Sequence, residues 1–225
     1  MGIVRGTSFA ARHLDPGTRM GEILFGLIMT LTFTLGAGLV IQEEGREGAR
    51  AMLLGILGCN LAWGIIDGVF FVLGQVFDRG RLRRIGARVR QAESDEAARA
   101  LVAAEFDDIL APVSDDRERR GLYEQVVRRL RSTPPTPNRV RRADLLGGLA
   151  SGWLVFACSF PAVIPFLFLD DPHRALRISN AVLIGLLFLV GHRMARHTMA
   201  HPWVTGGVFA LAGILLVAIA IALGG

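Results

Sequence analysis

The chain has 225 residues, 52% of them hydrophobic, a mean hydropathy of +0.44 and a formal net charge of +5. That balance excludes an ordinary soluble domain, because the charges are gathered in blocks between long apolar runs. A pI near 10.7 would suit a nucleic-acid binder, but the basic residues, all of them arginine, flank the apolar runs, where they set topology and argue against a nucleic-acid partner.

Residues 1–20 are polar and carry Arg5, Arg12, His13 and Arg19. They lack the apolar core and small-residue cleavage site of a secretory signal. Asp15-Pro16-Gly17-Thr18 predicts a turn and a helix start, with Glu22 in the first turn. The first span is expected over Ile23 to Ile41, with Gly26, Thr30, Thr32 and Thr34 as small or hydroxylated packing residues. The threonine hydroxyls serve equally well as pathway groups or as partners for their own helix carbonyls.

Gln42 to Arg50, QEEGREGAR, reads as a short hydrophilic loop, and Ala51 to Val76 as the second span. Asp67 lies near the middle of that span. An ionised acid at this depth costs a few kcal/mol, so it is expected to face a bundle interior, a cavity or a partner. Asn60 is seven residues away and shares its face, which gives one polar stripe. That stripe serves either as a polar path or ion site, or as packing glue between helices.

From Asp78 to Arg142 the membrane pattern stops: sixteen arginines and eleven acids fall in this segment. Arg79 to Arg90 predicts a helical continuation of the second span. Ser94 to Leu110 and Asp115 to Arg131 predict two amphipathic helices, with Ala97, Leu101, Ala104, Phe106 and Ile109 facing inward in one and Leu122, Val126, Val127 and Leu130 in the other. Ser132 to Pro137 is a stiff return. Glu93 with Glu96, and Glu105 with Asp108, stand at i, i+3 spacing, where carboxylates bind divalent cations or simply face water beside arginine.

Three more spans follow. Leu145 to Leu169 contains Pro161 and Pro165 and predicts a kink near Phe160. Asp170-Asp171-Pro172-His173 is a turn before a short span from Ile178 to Gly191. Arg193 to His201 reads as a basic loop, with His192, His197 and His201 as a pH-sensitive cluster rather than a metal site, and Val204 to Leu223 is the last span. Cys59 and Cys158 lie inside spans as packing residues.

The expected class is therefore all-α: a polytopic membrane protein with five transmembrane helices and a cytoplasmic helical insertion between spans 2 and 3. The segments are 1–20, 21–77, 78–142 and 143–225. Arginine counts put the N-terminus inside and the C-terminus outside, in a bacterial inner membrane. No nucleophile motif, phosphate loop or paired-histidine ligand set points to an enzyme.

This layout resembles the vacuolar iron transporter family. Glu22-Ile23-Leu24-Phe25-Gly26-Leu27 is similar to the start of that family's first span, and Ser159-Phe160-Pro161-Ala162-Val163-Ile164-Pro165-Phe166 to its proline-containing third span, with the prolines one residue further apart. Glu93, Glu96, Glu105 and Asp108 are similar to its cytoplasmic metal-collecting acids. The resemblance implies a homodimeric carrier, paired through its first span, that exports Fe2+ or Mn2+ from the cytosol in exchange for protons, with no permanently bound cofactor. The family's first-span Asp falls here on Met29, and its second-span Met falls near Phe70 or Phe71. Met29 and Asp67 are then expected to have exchanged the thioether and carboxylate roles, on a pathway with Glu22, Thr30 and Asn60. The alternative is a membrane scaffold or sensor that keeps the carrier fold and acts through its hairpin.

Overall fold

The computed structural model describes residues 8–36, 38–134 and 137–222, all helices and turns with no strand among them. The segments expected at 1–7, Pro135, Thr136 and Leu223 lie outside the described residues. Among the described residues nine helical stretches follow one another: α1 (Phe9–His13), α2 (Pro16–Gly36), α3 (Gly38–Gln91, broken at Gly45), α4 (Asp95–Leu110), α5 (Asp116–Ser132), α6 (Arg142–Ala157), α7 (Phe160–Phe168), α8 (Pro172–Thr198) and α9 (Pro202–Ala222). Five helical stretches are long and apolar enough to cross a membrane, in α2, in α3, across α6 and α7, in α8 and in α9. Large apolar side chains stand exposed on them, among them Leu61, Ile65, Val69 and Phe70 on α3 and Val204, Val208, Leu211 and Leu215 on α9. Water would penalise such faces and lipid does not.

The chain divides into a span unit, Met1–Val72 with Arg142–Gly225, and a hairpin unit, Leu73–Arg141. In the span unit Leu27, Leu31 and Leu35 of α2 pack against Leu183 and Leu187 of α8, Cys158 and Ala162. The Asp15 carboxylate accepts from Thr18 N at 3.0 Å and from its hydroxyl at 2.5 Å, which starts α2 at Pro16 and holds the Asp15 carboxyl below its usual range. Glu22 therefore sits in the second turn of α2 rather than the first.

Of two expected loops, the first shrinks to a single residue: within QEEGREGAR one helix ends and the next begins at Gly45 (φ 56°, ψ −119°), a left-handed conformation that glycine adopts without a Cβ clash, so α3 is two helices joined there. The second is helical. Arg193 to Thr198 completes α8, so the connection to α9 shrinks to three residues around Met199, which closes the helix at φ 58°. The short fourth span is correspondingly 27 residues long, from the Asp171 cap to Thr198. At Arg193 to Thr198 polar side chains mark where a helix meets water, not where it ends. Arg46 and Asp170 pair at 2.8 Å, so the connection between the first two spans meets that between the third and fourth at one end of the bundle. The kink expected near Phe160 separates α6 from α7, where the Ser159 hydroxyl donates to the Phe156 carbonyl at 2.6 Å.

The hairpin unit packs α4 and α5 against the last turns of α3 around Val89, Ala98, Val102, Tyr123 and Val127. Ser94 caps α4, and Asp115 with Glu118 forms a capping box on α5. Leu101, Phe106, Val126, Val127 and Leu130 pack in this core as expected, but its most buried positions are neighbours of other expected ones: Ala98 and Val102 point inward while Ala97, Ala104 and Ile109 face out, and Tyr123 takes the place expected for Leu122. Ala98 with Val102 and Tyr123 with Val127 still repeat at i, i+4.

Candidate functional site

Two glycine pairs decide how closely α3 and α6 meet. A Cβ added at Gly64 would lie 2.6 Å from the Gly152 carbonyl oxygen, and one at Gly68 2.6 Å from that of Gly148; the reverse positions are equally closed. The pairs run in opposite order along the two helices, so α3 and α6 cross antiparallel in backbone contact over one turn. Asp67 and Ser151 each precede one of these glycines and are brought face to face.

The Ser151 hydroxyl donates to Asp67 Oδ2 at 2.5 Å, and Ser151 is fully buried. From α2, the Glu22 side chain comes within hydrogen-bonding reach of both Asp67 and Ser151. Three helices thus contribute two carboxyls and a hydroxyl to one polar layer.

A second layer stands two turns along α2 and α3, about 10–12 Å away at 1.5 Å per residue. There the Asn60 amide donates to Thr30 Oγ1 at 2.8 Å and to the Val155 carbonyl at 3.2 Å, and Thr30 donates to the Gly26 carbonyl at 2.7 Å. Asn60 and Thr30 are fully buried, and Asn60 Oδ1 has no hydrogen-bond partner. One turn further on, Thr34 Oγ1 lies 2.7 Å from both the Leu31 carbonyl oxygen and Asn180 Oδ1 of α8, two acceptors that share its single proton. Glu22, Thr30 and Thr34 lie on one side of α2 at intervals of eight and four residues and carry this polar ladder.

Four of the five expected pathway residues, Glu22, Thr30, Asn60 and Asp67, therefore line the junction of α2, α3 and α6. Met29 is not at the carboxyl level. It stands seven residues from Glu22, about 10 Å along the helix, so the structure does not bring its thioether to Asp67. Sequence reading missed Ser151, Asn180 and the glycine crossing, although two G-x-x-x-G spacings, 64/68 and 148/152, were there to be read.

The hairpin acids do not gather. Glu96 pairs with Arg99 at 2.7 Å, Arg99 also reaches Glu124 at 3.1 Å, and Glu105 pairs with Arg81. Glu93 and Asp108 are exposed. Glu96 and Glu105 are nine residues apart on α4, about 13 Å, too far to share an ion. Among the described residues no three His, Cys, Asp or Glu side chains come together as a metal site. His192 packs between Phe188 and Trp203, at ring-centroid distances of 6.0 and 5.3 Å, while His197 and His201 are exposed. No protein-family model matches the chain, and no curated protein matches it.

Proposed function

We propose that this chain is a membrane carrier in which the Glu22 and Asp67 carboxyls bind either a proton or a divalent cation, and so exchange one for the other. The observation that carries the reading is the approach of two acids from separate spans, with Ser151 beside them and no arginine among the groups acting on Glu22 within the described residues. Two carboxyls that share a proton become, once it leaves, a dianionic oxygen site suited to a hard or borderline divalent ion. The buried Asn60 Oδ1, two turns along, is the next oxygen on the same line. Resemblance to the vacuolar iron transporters makes Fe2+ or Mn2+ the cargo, the cytosol the side it leaves and a bacterial inner membrane the setting. Arginine placement supports an inside N-terminus and an outside C-terminus.

In a homodimer through the first span, the face of α2 that remains for the partner carries Gly21, Phe25 and Thr32, since Leu27, Leu31 and Leu35 pack within the chain. A second reading, a non-transporting scaffold or sensor acting through the hairpin, is favoured by one observation: Glu96 and Glu105, two of the four acids expected to collect metal, are held by arginines.

The test is Mn2+ flux into proteoliposomes under an imposed pH gradient. Glu22→Gln and Asp67→Asn are each expected to reduce proton-coupled flux at least about tenfold, the effect of one lost charged ligand, whereas Met29→Ala retains most of it. Undiminished flux in both carboxyl variants overturns the site. No flux from the unaltered protein favours the scaffold.

A further inference from the structure

The hairpin unit holds a cavity of about 260 Å³ lined by four arginines. Arg79, Arg83 and Arg90 line it from α3, at intervals of four and seven residues that keep them on one helix face, and Arg141 lines it from the segment leading out of the hairpin. None of its lining residues is Asp or Glu. Gly86 lies between the arginines on the same face, and leaves the floor low: a Cβ there would meet nothing nearer than Leu130 Cδ2 at 3.5 Å.

Four other arginines of the hairpin are matched. Arg81, Arg99, Arg119 and Arg131 each pair with a carboxylate. Among the described residues neither Arg83 nor Arg90 does. Arg90 Nη1 donates to the Leu130 carbonyl at 3.1 Å, which fixes the guanidinium without cancelling its charge. The Arg83 and Arg90 guanidiniums, on one helix face, repel each other unless an anion enters, and guanidinium forks match phosphoryl oxygens in geometry. The opposite wall is mixed: Leu130 and Pro137 are apolar, and Asn138 donates to the Val76 carbonyl at 3.1 Å while its Oδ1 is buried with no hydrogen-bond partner. An acceptor beside the guanidiniums suits a ligand that carries a donor next to its anion. The volume lies just below the range of about 300 Å³ and upward usual for drug-sized ligands, which fits a headgroup or a small ester.

We propose that this cavity binds a phosphate ester, with Arg83 and Arg90 on the phosphoryl oxygens and Asn138 Oδ1 accepting from a hydroxyl or ammonium of the esterified alcohol. A phospholipid headgroup and a soluble phosphorylated metabolite share that chemistry. The site is independent of the carrier reading, since none of its residues belongs to the α2, α3 and α6 junction.

The experiment uses the full chain with two probes: glycerol 3-phosphate titrated onto delipidated protein in detergent, and phosphatidylglycerol doped into phosphatidylcholine nanodiscs, with the thermal midpoint as readout. Stabilisation by at least one probe is expected, about tenfold weaker in Arg83→Gln, as for loss of one charge-assisted hydrogen-bonding group. Arg128→Gln removes the same charge from an exposed position of α5 and is expected to change binding less than about twofold, the screened effect of a distant charge. A response to glycerol 3-phosphate identifies a soluble ester, and a response to the doped nanodiscs alone identifies the headgroup. No response to either probe, or equal loss in Arg83→Gln and Arg128→Gln, overturns the proposal.

Discussion

In the hairpin unit Asp95, Glu96, Glu105, Asp116 and Glu124 each meet an arginine, whereas in the span unit Glu22 meets Asp67 and a serine. The hairpin pairs sit largely in water, where each is worth about 0–1 kcal/mol and any one is dispensable. In the spans, hydroxyls, amides and backbone carbonyls satisfy one another, and removing one member strands a buried partner. Residue type alone does not say which of these a carboxylate will do; the dielectric around it and the reach of the nearest guanidinium decide.

The difference is open to attack, most forcefully at the glycine crossing. Gly152→Val drives a side chain into the Gly64 carbonyl and is expected to cost about 3 kcal/mol or more in a melt of the detergent-solubilised protein. Gly58→Ala, where an added Cβ meets nothing within 4 Å, should instead leave stability unchanged or raise it by up to about 1 kcal/mol. Equal melts for the two variants would remove the backbone contact. Asn60→Leu takes away two buried hydrogen bonds, and a loss of about 1–2 kcal/mol is expected, insensitive to salt.

On the hairpin side the effects shrink. Arg99→Ala breaks contacts to Glu96 and Glu124 and should cost about 0.5–1 kcal/mol at low ionic strength, most of it gone at high salt. A cost that persists in high salt would make this pair behave like a buried one. The smallest effect is confined to alkaline pH. Burial, and then its hydrogen bond to Asp107 at 2.6 Å, hold the Tyr123 hydroxyl above its usual range. Its contribution to stability is complete below pH about 10 and is lost as pH rises through the higher folded value. The chain has a single tyrosine, so tyrosinate absorbance follows this group alone. Its midpoint should fall in Asp107→Asn; an unmoved midpoint leaves burial as the whole cause.

Much of the architecture could be read from local pattern. Apolar runs located five spans, Ser94 and Asp115 announced α4 and α5, and the 60/67 spacing put Asn60 and Asp67 on one face. What escaped has two physical origins. Polarity was taken as the end of a helix at Arg193 to His201, but arginine is a good helix former and a helix leaving lipid has no reason to stop; at Gln42 to Arg50 the break does come, at Gly45 alone. Contacts between distant segments escaped as well: nothing local in Glu22 tells that it will face Asp67, 45 residues on, and Ser151 looks like any small residue in a span. The expected partnership of Met29 and Asp67 failed for a related reason. Alignment by position along a span ignores the antiparallel register, in which residue 22, and not 29, comes level with 67.

The crossing of α3 and α6 also bears on disorder. Where two helices touch through leucines or methionines, the contact can be met by many rotamers, and ordering them costs conformational entropy. Gly64, Gly68, Gly148 and Gly152 have no rotamers to order. The separation between the Asp67 and Ser151 backbones is therefore set by helical main chain alone, and temperature broadens it only as far as it loosens the helices themselves.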